Sequence, residues 1–153
     1  MNLIFILLLF LIFIFIIIIC SICPTIDNFS PNQKTIYLTH KNKIPDFVIK
    51  SWKKLNPNYE IKFYNDNNCR KFIKKNYPES YLEYFDRLSK YKGSGPIKCD
   101  FWRCLILYKY GGVYADSDIE PLVPIDEFLE KDVDFLTCNS HYNNSFNPHF
   151  IYV

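Results

Sequence analysis

The sequence predicts an α/β fold, with helices packed around a mixed, largely parallel sheet. Three observations predict it. Short β-branched and aromatic stretches alternate with stretches of helical periodicity in the order βαβαααβαβ. No internal repeat interrupts that order. An acidic run, Asp116-Ser117-Asp118, follows a short apolar strand, and ligands on open α/β sheets sit beyond the carboxyl ends of strands.

Before the first strand lies a segment unlike the rest. Every residue from Leu3 to Ile19 is Leu, Ile or Phe, and Cys20 to Cys23 extend the stretch. About 21 residues make a helix of roughly 31 Å, which matches the hydrocarbon core of a bilayer. A cleaved signal peptide would carry a basic n-region and a small-x-small cleavage site. Met1-Asn2 is the whole n-region and no Ala-x-Ala pattern follows, so residues 1–23 are expected to be a transmembrane signal anchor, with membrane contact through residues 3–23. Lys34 is the first basic residue of the chain, so charge bias does not orient the span. Residues 24–34, with Pro24 and Pro31 among polar neighbours, read as a stem. Residues 35–153 then form one domain with one modest core.

Thr35-Ile36-Tyr37-Leu38-Thr39-His40 reads as the first strand. Pro45 opens a helix carrying Phe47, Val48, Ile49 and Trp52 to Leu55, which Asn56-Pro57-Asn58 stops; Trp52 reads as core. Tyr59 to Tyr64 alternates as a second strand, and Asn65 or Asp66 caps a helix running to Asn76, closed by Pro78. A helix over Glu79–Tyr91 leads into a Gly93-Ser94-Gly95 loop. Pro96 begins the next helix, which lasts to Tyr110 and ends at Gly111. Ile97, Phe101, Leu105 and Tyr108 recur along it at helical spacing and are expected in the core. Val113-Tyr114-Ala115 is a short strand, Ile125–Glu130 a short helix after Pro121 and Pro124, and Asp134–Cys138 a further strand. The chain stops at Phe150-Ile151-Tyr152-Val153, in the pattern of a strand, so the domain is expected to be incomplete at its C-terminus.

Composition narrows the function. The net charge of +2 is small and the Lys and Asp/Glu residues are interspersed, so no nucleic-acid partner is expected. Cys20-x-x-Cys23 has no second pair to complete a zinc site. Cys69, Cys99, Cys104 and Cys138 read as buried free thiols, with disulfides open in an oxidising compartment. Asn28-Phe29-Ser30 and Asn143-Asn144-Ser145 fit the N-glycosylation pattern.

Asp116-x-Asp118 carries the chemistry. Asp132-Val133-Asp134 has the same form but reads as a helix-to-strand junction. Alternate residues of an extended chain point the same way, so both carboxylates of the first pair are expected to project together from a strand end. Paired hard oxygens suit Mg²⁺ or Mn²⁺, with phosphate oxygens and water completing the shell. A calcium loop counted from Asp116 would need Gly at position six, where Pro121 stands. Asp100 and Arg103, three apart on one helix, share a face near its start. They form either a plain ion pair or a site in which Asp100 accepts sugar hydroxyls and Arg103 offers its fork to a phosphate or sugar oxygen.

The block from Lys98 to Asp118 resembles glycosyltransferase family 32, the DXD sugar-binding family that includes initiating α-1,6-mannosyltransferases and α-1,4-galactosyltransferases. Its pattern of Asp, Arg three residues later, Leu-Tyr-x-Tyr-Gly-Gly-x-Tyr and Asp-x-Asp is matched by Asp100, Arg103, Leu107–Tyr114 and Asp116–Asp118. The likeness extends to Ile36–Lys43 and Ser51–Glu60. It implies a GT-A fold, a nucleotide-sugar donor, Mn²⁺ (or Mg²⁺) as cofactor and retention at the anomeric carbon. It implies that Asp118 meets the metal directly and that Asp116 contacts ribose, sugar or metal-bound water. Asp100 and Arg103 would hold the donor sugar, with Thr39 and His40 near the nucleotide.

The implied activity moves a hexosyl group, from GDP-mannose or a UDP-hexose, onto a glycan, lipid or glycoprotein acceptor in the lumen of the secretory pathway. No covalent nucleophile is nominated. The alternative is a non-catalytic, membrane-anchored remnant that binds nucleotide sugar. His141 or His149 could help bind the metal, but both read first as polar loop residues near the end of the chain.

Overall fold

The structure, a computed structural model, describes residues 34–130, 132–142 and 144–153. The expected anchor over residues 1–23 and nearly all of the stem lie outside the described residues. Among the described residues no helix is long and apolar enough to cross a membrane.

Five strands form one mixed sheet: β1 (Thr35–Thr39), β2 (Glu60–Tyr64), β3 (Val113–Asp116), β4 (Leu136–Asn139) and β5 (Phe146–Tyr152), in the order β2-β1-β3-β5-β4. β1 pairs in parallel with both β2 and β3, while β5 runs antiparallel to β3 and to β4. The expected α/β class with a mixed sheet is therefore observed. The sheet is less parallel than expected, because β4 and β5 form an antiparallel edge. β4 starts two residues later than expected, and the terminal apolar run is the C-terminal half of β5.

Among the described residues, five helices connect the strands. α1 (Asp46–Leu55) starts after Pro45, buries Val48 and Trp52, and sets Lys53 and Lys54 against the negative end of its dipole. The Asn56 side chain that follows is buried; its amide donates to the Trp52 carbonyl at 3.2 Å and its oxygen accepts from the Ile125 N–H at 2.8 Å. It thereby ties the end of α1 to the start of α5 (Ile125–Phe128). Asn65 caps α2 (Asp66–Asn76), its Oδ1 accepting from the Asn68 N–H at 2.9 Å. α3 (Glu79–Leu88) ends three residues short of the expected Tyr91.

α4 (Gly95–Tyr110) is the long helix before β3. It ends at Gly111, with φ 63°, and Gly112, with φ 95°. Both need positive φ, which glycine adopts without steric cost. The expected core stripe of α4 is corrected by the structure. Ile97 is 54 % exposed and Tyr108 61 % exposed, while Trp102, Arg103, Leu105, Ile106 and Leu107 are buried. The helix is apolar on most of its faces, so helical spacing alone traces more than one stripe. The choice is made by the sheet, against which Trp102 and Ile106 pack, and by α3, whose Tyr81 stacks on Phe101.

Strand alternation divides the core in two. Tyr37 and Tyr114 face α2, α3 and α4 in one cluster built round Trp102, Phe72 and Ile73. Ile36, Leu38, Val113 and Ala115 face α1 and α5 in the other, with Trp52 and Ile125. All five residues of β1 are buried, as a central strand covered on both faces requires. Each fully buried large side chain stabilises the fold by roughly 1.5–3 kcal/mol. The parity has a functional consequence: Thr39 and Asp116 are two residues beyond Tyr37 and Tyr114, on the face that carries α4.

Candidate functional site

β1 and β3 end side by side, with Thr39 registered against Asp116. Beyond that shared carboxyl edge opens a cleft of about 1110 Å³, whose lining includes Thr39, His40, Arg103, Asp116 and Asp118 and, on the far wall, the start of α4.

Asp116 is held from behind. Its Oδ1 accepts the Tyr114 hydroxyl at 2.6 Å and stands 3.4 Å from the Arg103 guanidinium. The Tyr114 oxygen lies 2.9 Å from the Thr39 hydroxyl. Because Tyr114 gives its proton to the carboxylate, Thr39 donates to Tyr114, making a buried relay Thr39 → Tyr114 → Asp116. The Cys99 thiol lies 3.6 Å from the Thr39 oxygen. Burial pushes the Tyr114 hydroxyl far above its ordinary range, with Arg103 pulling it back in part. Burial likewise raises the Cys99 thiol.

Arg103 is only 4 % exposed, which is rare for an arginine and requires partners. Its guanidinium pairs with Asp100 at 2.7 Å, donates to the Pro148 carbonyl, and lies 4.3 Å from the Tyr114 ring centre as a cation–π pair. Its Nε also donates to the Cys99 carbonyl at 3.4 Å. Asp100 remains half-exposed. The expected i,i+3 pair thus exists, and Arg103 links it to Asp116.

Asp116 and Asp118 come together, but not for the expected reason. β3 stops at Asp116; Ser117 and Asp118 form a turn closed by the Ile119 N–H on the Asp116 carbonyl at 3.1 Å. The turn, rather than strand alternation, brings the carboxylates onto one side. A third group joins them. The β3–β5 register pairs Ala115 with Phe150, so one step on Asp116 stands opposite His149. The His149 Nδ1 is 2.9 Å from Asp116 Oδ2, and one oxygen of each aspartate and one ring nitrogen of His149 all lie within 4.8 Å of one another.

Ligands about 2.1 Å from one cation are separated by about 3 Å when adjacent and about 4.2 Å when opposed. The donor set of two carboxylates and an imidazole therefore fits a divalent ion. Asp116 offers Oδ2, since Oδ1 is already engaged. Of the remaining expected residues, Thr39 supports the relay from beneath. His40 lies on the exposed cleft wall, its ring near the Asn42 backbone at 3.2 Å. His141 lies on an exposed bend away from the cluster.

Sequence reasoning named His149 as a candidate metal ligand but ranked it as a terminal loop residue, because the antiparallel register that places it beside Asp116 is not written in the local sequence. It passed over Tyr114, although the Gly-Gly-x-Tyr spacing put its hydroxyl two residues before Asp116. The cysteines are free where described: Cys69 is buried and Cys99 partly so, but Cys104 and Cys138 are exposed, against the expectation that all four are buried.

Comparison with known proteins accords with this geometry. Residues 42–134 match the family described as a glycosyltransferase sugar-binding region containing a DXD motif. The chain is 31 % identical over 113 residues to an initiation-specific alpha-1,6-mannosyltransferase of Candida albicans, covering 69 % of this chain and 29 % of that protein. It is 37 % identical over 93 residues to inositol phosphoceramide mannosyltransferase 3 of Schizosaccharomyces pombe, covering 56 % and 24 % respectively. An uncharacterized glycosyltransferase of Acanthamoeba polyphaga mimivirus is 33 % identical over 76 residues, covering 50 % and 29 %. The matched part thus spans less than a third of each relative. No solved structure matches the chain. With its Asp116-Ser117-Asp118 edge inside the matched segment, the chain belongs to the glycosyltransferase family defined by the DXD-containing sugar-binding region.

Proposed function

We propose that the cleft beside Asp116 and Asp118 binds a nucleotide-diphosphate sugar and a divalent cation, Mn²⁺ or Mg²⁺, and that the chain serves hexosyl transfer on a GT-A type fold. The observation that carries this is the convergence of two carboxylates and an imidazole at the carboxyl edge of β1 and β3, facing a nucleotide-sized cleft. The mannosyltransferase relatives favour GDP-mannose among the donors; UDP-hexoses are the competing set. The acceptor is a glycan, lipid or glycoprotein. Residues 1–23 are proposed as the membrane anchor, 24–34 as the stem, and residues 35–153 as the lumenal donor-binding part.

Asp118 and Asp116 Oδ2 would hold the cation. Bound there, the ion offsets the negative charge that builds on the leaving diphosphate. Asp100, half-exposed, accepts hydroxyls of the donor sugar and favours its developing positive charge. Arg103 orients Asp100 and Asp116 and presents positive charge toward the sugar–phosphate side of the cleft. The start of α4 lines the cleft and brings the positive end of a helix dipole to it, which favours phosphate. Thr39 and His40 border the nucleotide. Retention at the anomeric carbon is part of the proposal by family likeness.

The test is calorimetric titration of GDP-mannose and UDP-hexoses with and without Mn²⁺, alongside transfer to an acceptor panel. Cation-dependent binding that Asp118→Ala removes is the expected result. Unchanged donor binding in that variant overturns the reading. Cation-dependent binding without transfer identifies the chain as a donor-binding protein only.

A further inference from the structure

α4 is apolar on most of its faces, and a helix of that kind is covered on most sides when it is at rest in a fold. Its inner faces pack on the sheet and on α3. On its outer face Ile97, Phe101, Cys104 and Tyr108 stand four, three and four residues apart. That is the spacing with which one helix seats against another. The four side chains carry no charge, and Ile97, Cys104 and Tyr108 lie open to solvent. α3 widens the surface. Its partly exposed Tyr81 stacks on the Phe101 ring, and Tyr84 meets the same ring edge-on, with centres 5.0 Å apart. These ring contacts hold the patch in one shape before any partner arrives. The row stands clear of the donor cleft, which α4 lines through Lys98, Cys99 and Arg103.

We propose that this face docks a second copy of the chain, α4 against α4, antiparallel about a two-fold axis. The inference is independent of the donor-site reading. The spacing carries it: four, three, four is the same in both directions, so an inverted copy presents the matching row. Ile97 of one copy then lies beside Tyr108 of the other, and Phe101 beside Cys104. Each of these pairs occurs twice, as a two-fold contact requires. The composition agrees, since aromatic side chains without charge are what the centres of interfaces use. Size sets the strength. The open parts of Ile97, Cys104, Tyr108 and the α3 tyrosines amount to roughly 500 Å² per copy, or about 1,000 Å² for the pair, the lower end of specific interfaces. The dimer is therefore a reversible one, with a dissociation constant of roughly 1–100 μM. In dilute solution the copies separate and leave Cys104 open to reagents.

The experiment is sedimentation velocity of the full chain in detergent, across about 1 to 200 μM protein. Wild type is expected to pass from monomer to dimer mass over that range. Tyr108→Glu and Ile97→Lys, both at open positions, are expected to raise the dissociation constant about tenfold or more. Their urea midpoints are expected to match wild type, which separates lost docking from lost folding. Association through residues 1–23 would survive both substitutions, so a dimer that neither variant weakens overturns this face. A wild type that stays monomeric throughout overturns the proposal. Cross-linking reads the geometry. In a chain carrying Cys20→Ser, Cys23→Ser and Cys138→Ser, a short bismaleimide is expected to join two copies through Cys104, which flanks the axis. Adding Cys104→Ser is expected to abolish that product. A dimer that yields no product through Cys104 overturns the antiparallel seam.

Discussion

The Tyr114 hydroxyl donates to Oδ1 of Asp116 at 2.6 Å, two residues along the same strand and on the same face. That bond splits the labour of one carboxylate. Oδ1 is anchored inward by Tyr114 and Arg103, and Oδ2 is turned toward His149 and the cleft. A carboxylate held this way pays little of the ordering entropy that a free side chain would lose on binding an ion.

Tyr114→Phe keeps the ring under Arg103 and removes only the hydroxyl. It leaves Thr39 with only the Cys99 sulfur as acceptor and Asp116 with one fewer donor. The expected loss of stability is about 1–2 kcal/mol, read by urea denaturation. Mn²⁺-dependent donor binding is expected to weaken by roughly fivefold, since about 1 kcal/mol of carboxylate positioning is lost. Unaltered binding together with lowered stability would confine Tyr114 to a structural role.

Arg103 is a stricter case, because its charge is buried and shared among Asp100, Asp116 and the Pro148 carbonyl. Arg103→Met is expected to cost about 2–4 kcal/mol, below the full cost of breaking a buried pair because Asp100 stays solvated. Arg103→Lys keeps the charge but has no planar fork for three acceptors, and is expected to recover less than half of the loss. Denaturation curves of the two variants decide it; equal stability of Lys and Arg forms would show that charge alone matters.

The parts of this fold that local chemistry determines were legible in the sequence. Prolines and asparagines marked the starts of α1 and α2, paired glycines ended α4, and β-branched runs marked β1. The Asp116–Asp118 edge was legible too. What escaped depends on pairing across the sheet. The face of α4 that is buried is set by where the sheet and α3 lie, so Ile97 and Tyr108 passed for core. The antiparallel placement of β5 beside β3, and the bulge at Pro148, bring His149 to Asp116 although they stand 33 positions apart in the chain. No local spacing encodes that meeting. The turn at Ser117 likewise replaced the extended geometry that the alternation rule supposes.

The thiols provide a test of the packing. Burial pushes the Cys69 thiol up, and Cys99 with it, so both are poor nucleophiles at neutral pH. Cys104 and Cys138 are exposed. Brief alkylation of the native protein is expected to modify Cys104 and Cys138 within minutes and to spare Cys69 until denaturant is added. Peptide mass spectrometry reads the order. Early labelling of Cys69 would contradict the packing of α2 against α4.

The acid limb of stability is expected to depend on Asp126. Lys34 Nζ and the Tyr59 hydroxyl each lie 2.7 Å from its carboxylate oxygens, joining α5 to the starts of β1 and β2. The Lys34 bond first, and the Tyr59 bond second, hold its carboxyl below the ordinary value. A lowered folded value means that the unfolded chain binds the proton more readily. The contribution is therefore complete above the unfolded value of about 3.9 and disappears as pH falls through the lower folded one. The carboxylate is 48 % exposed, so solvent screening limits the contribution to about 0.5–1 kcal/mol. Asp126→Asn should be less stable than wild type by that amount near pH ~6, with the gap closing by pH ~2. Paired urea titrations at the two pH values measure it. A gap that persists in acid would assign the loss to the hydrogen-bond geometry of Tyr59 instead of to charge.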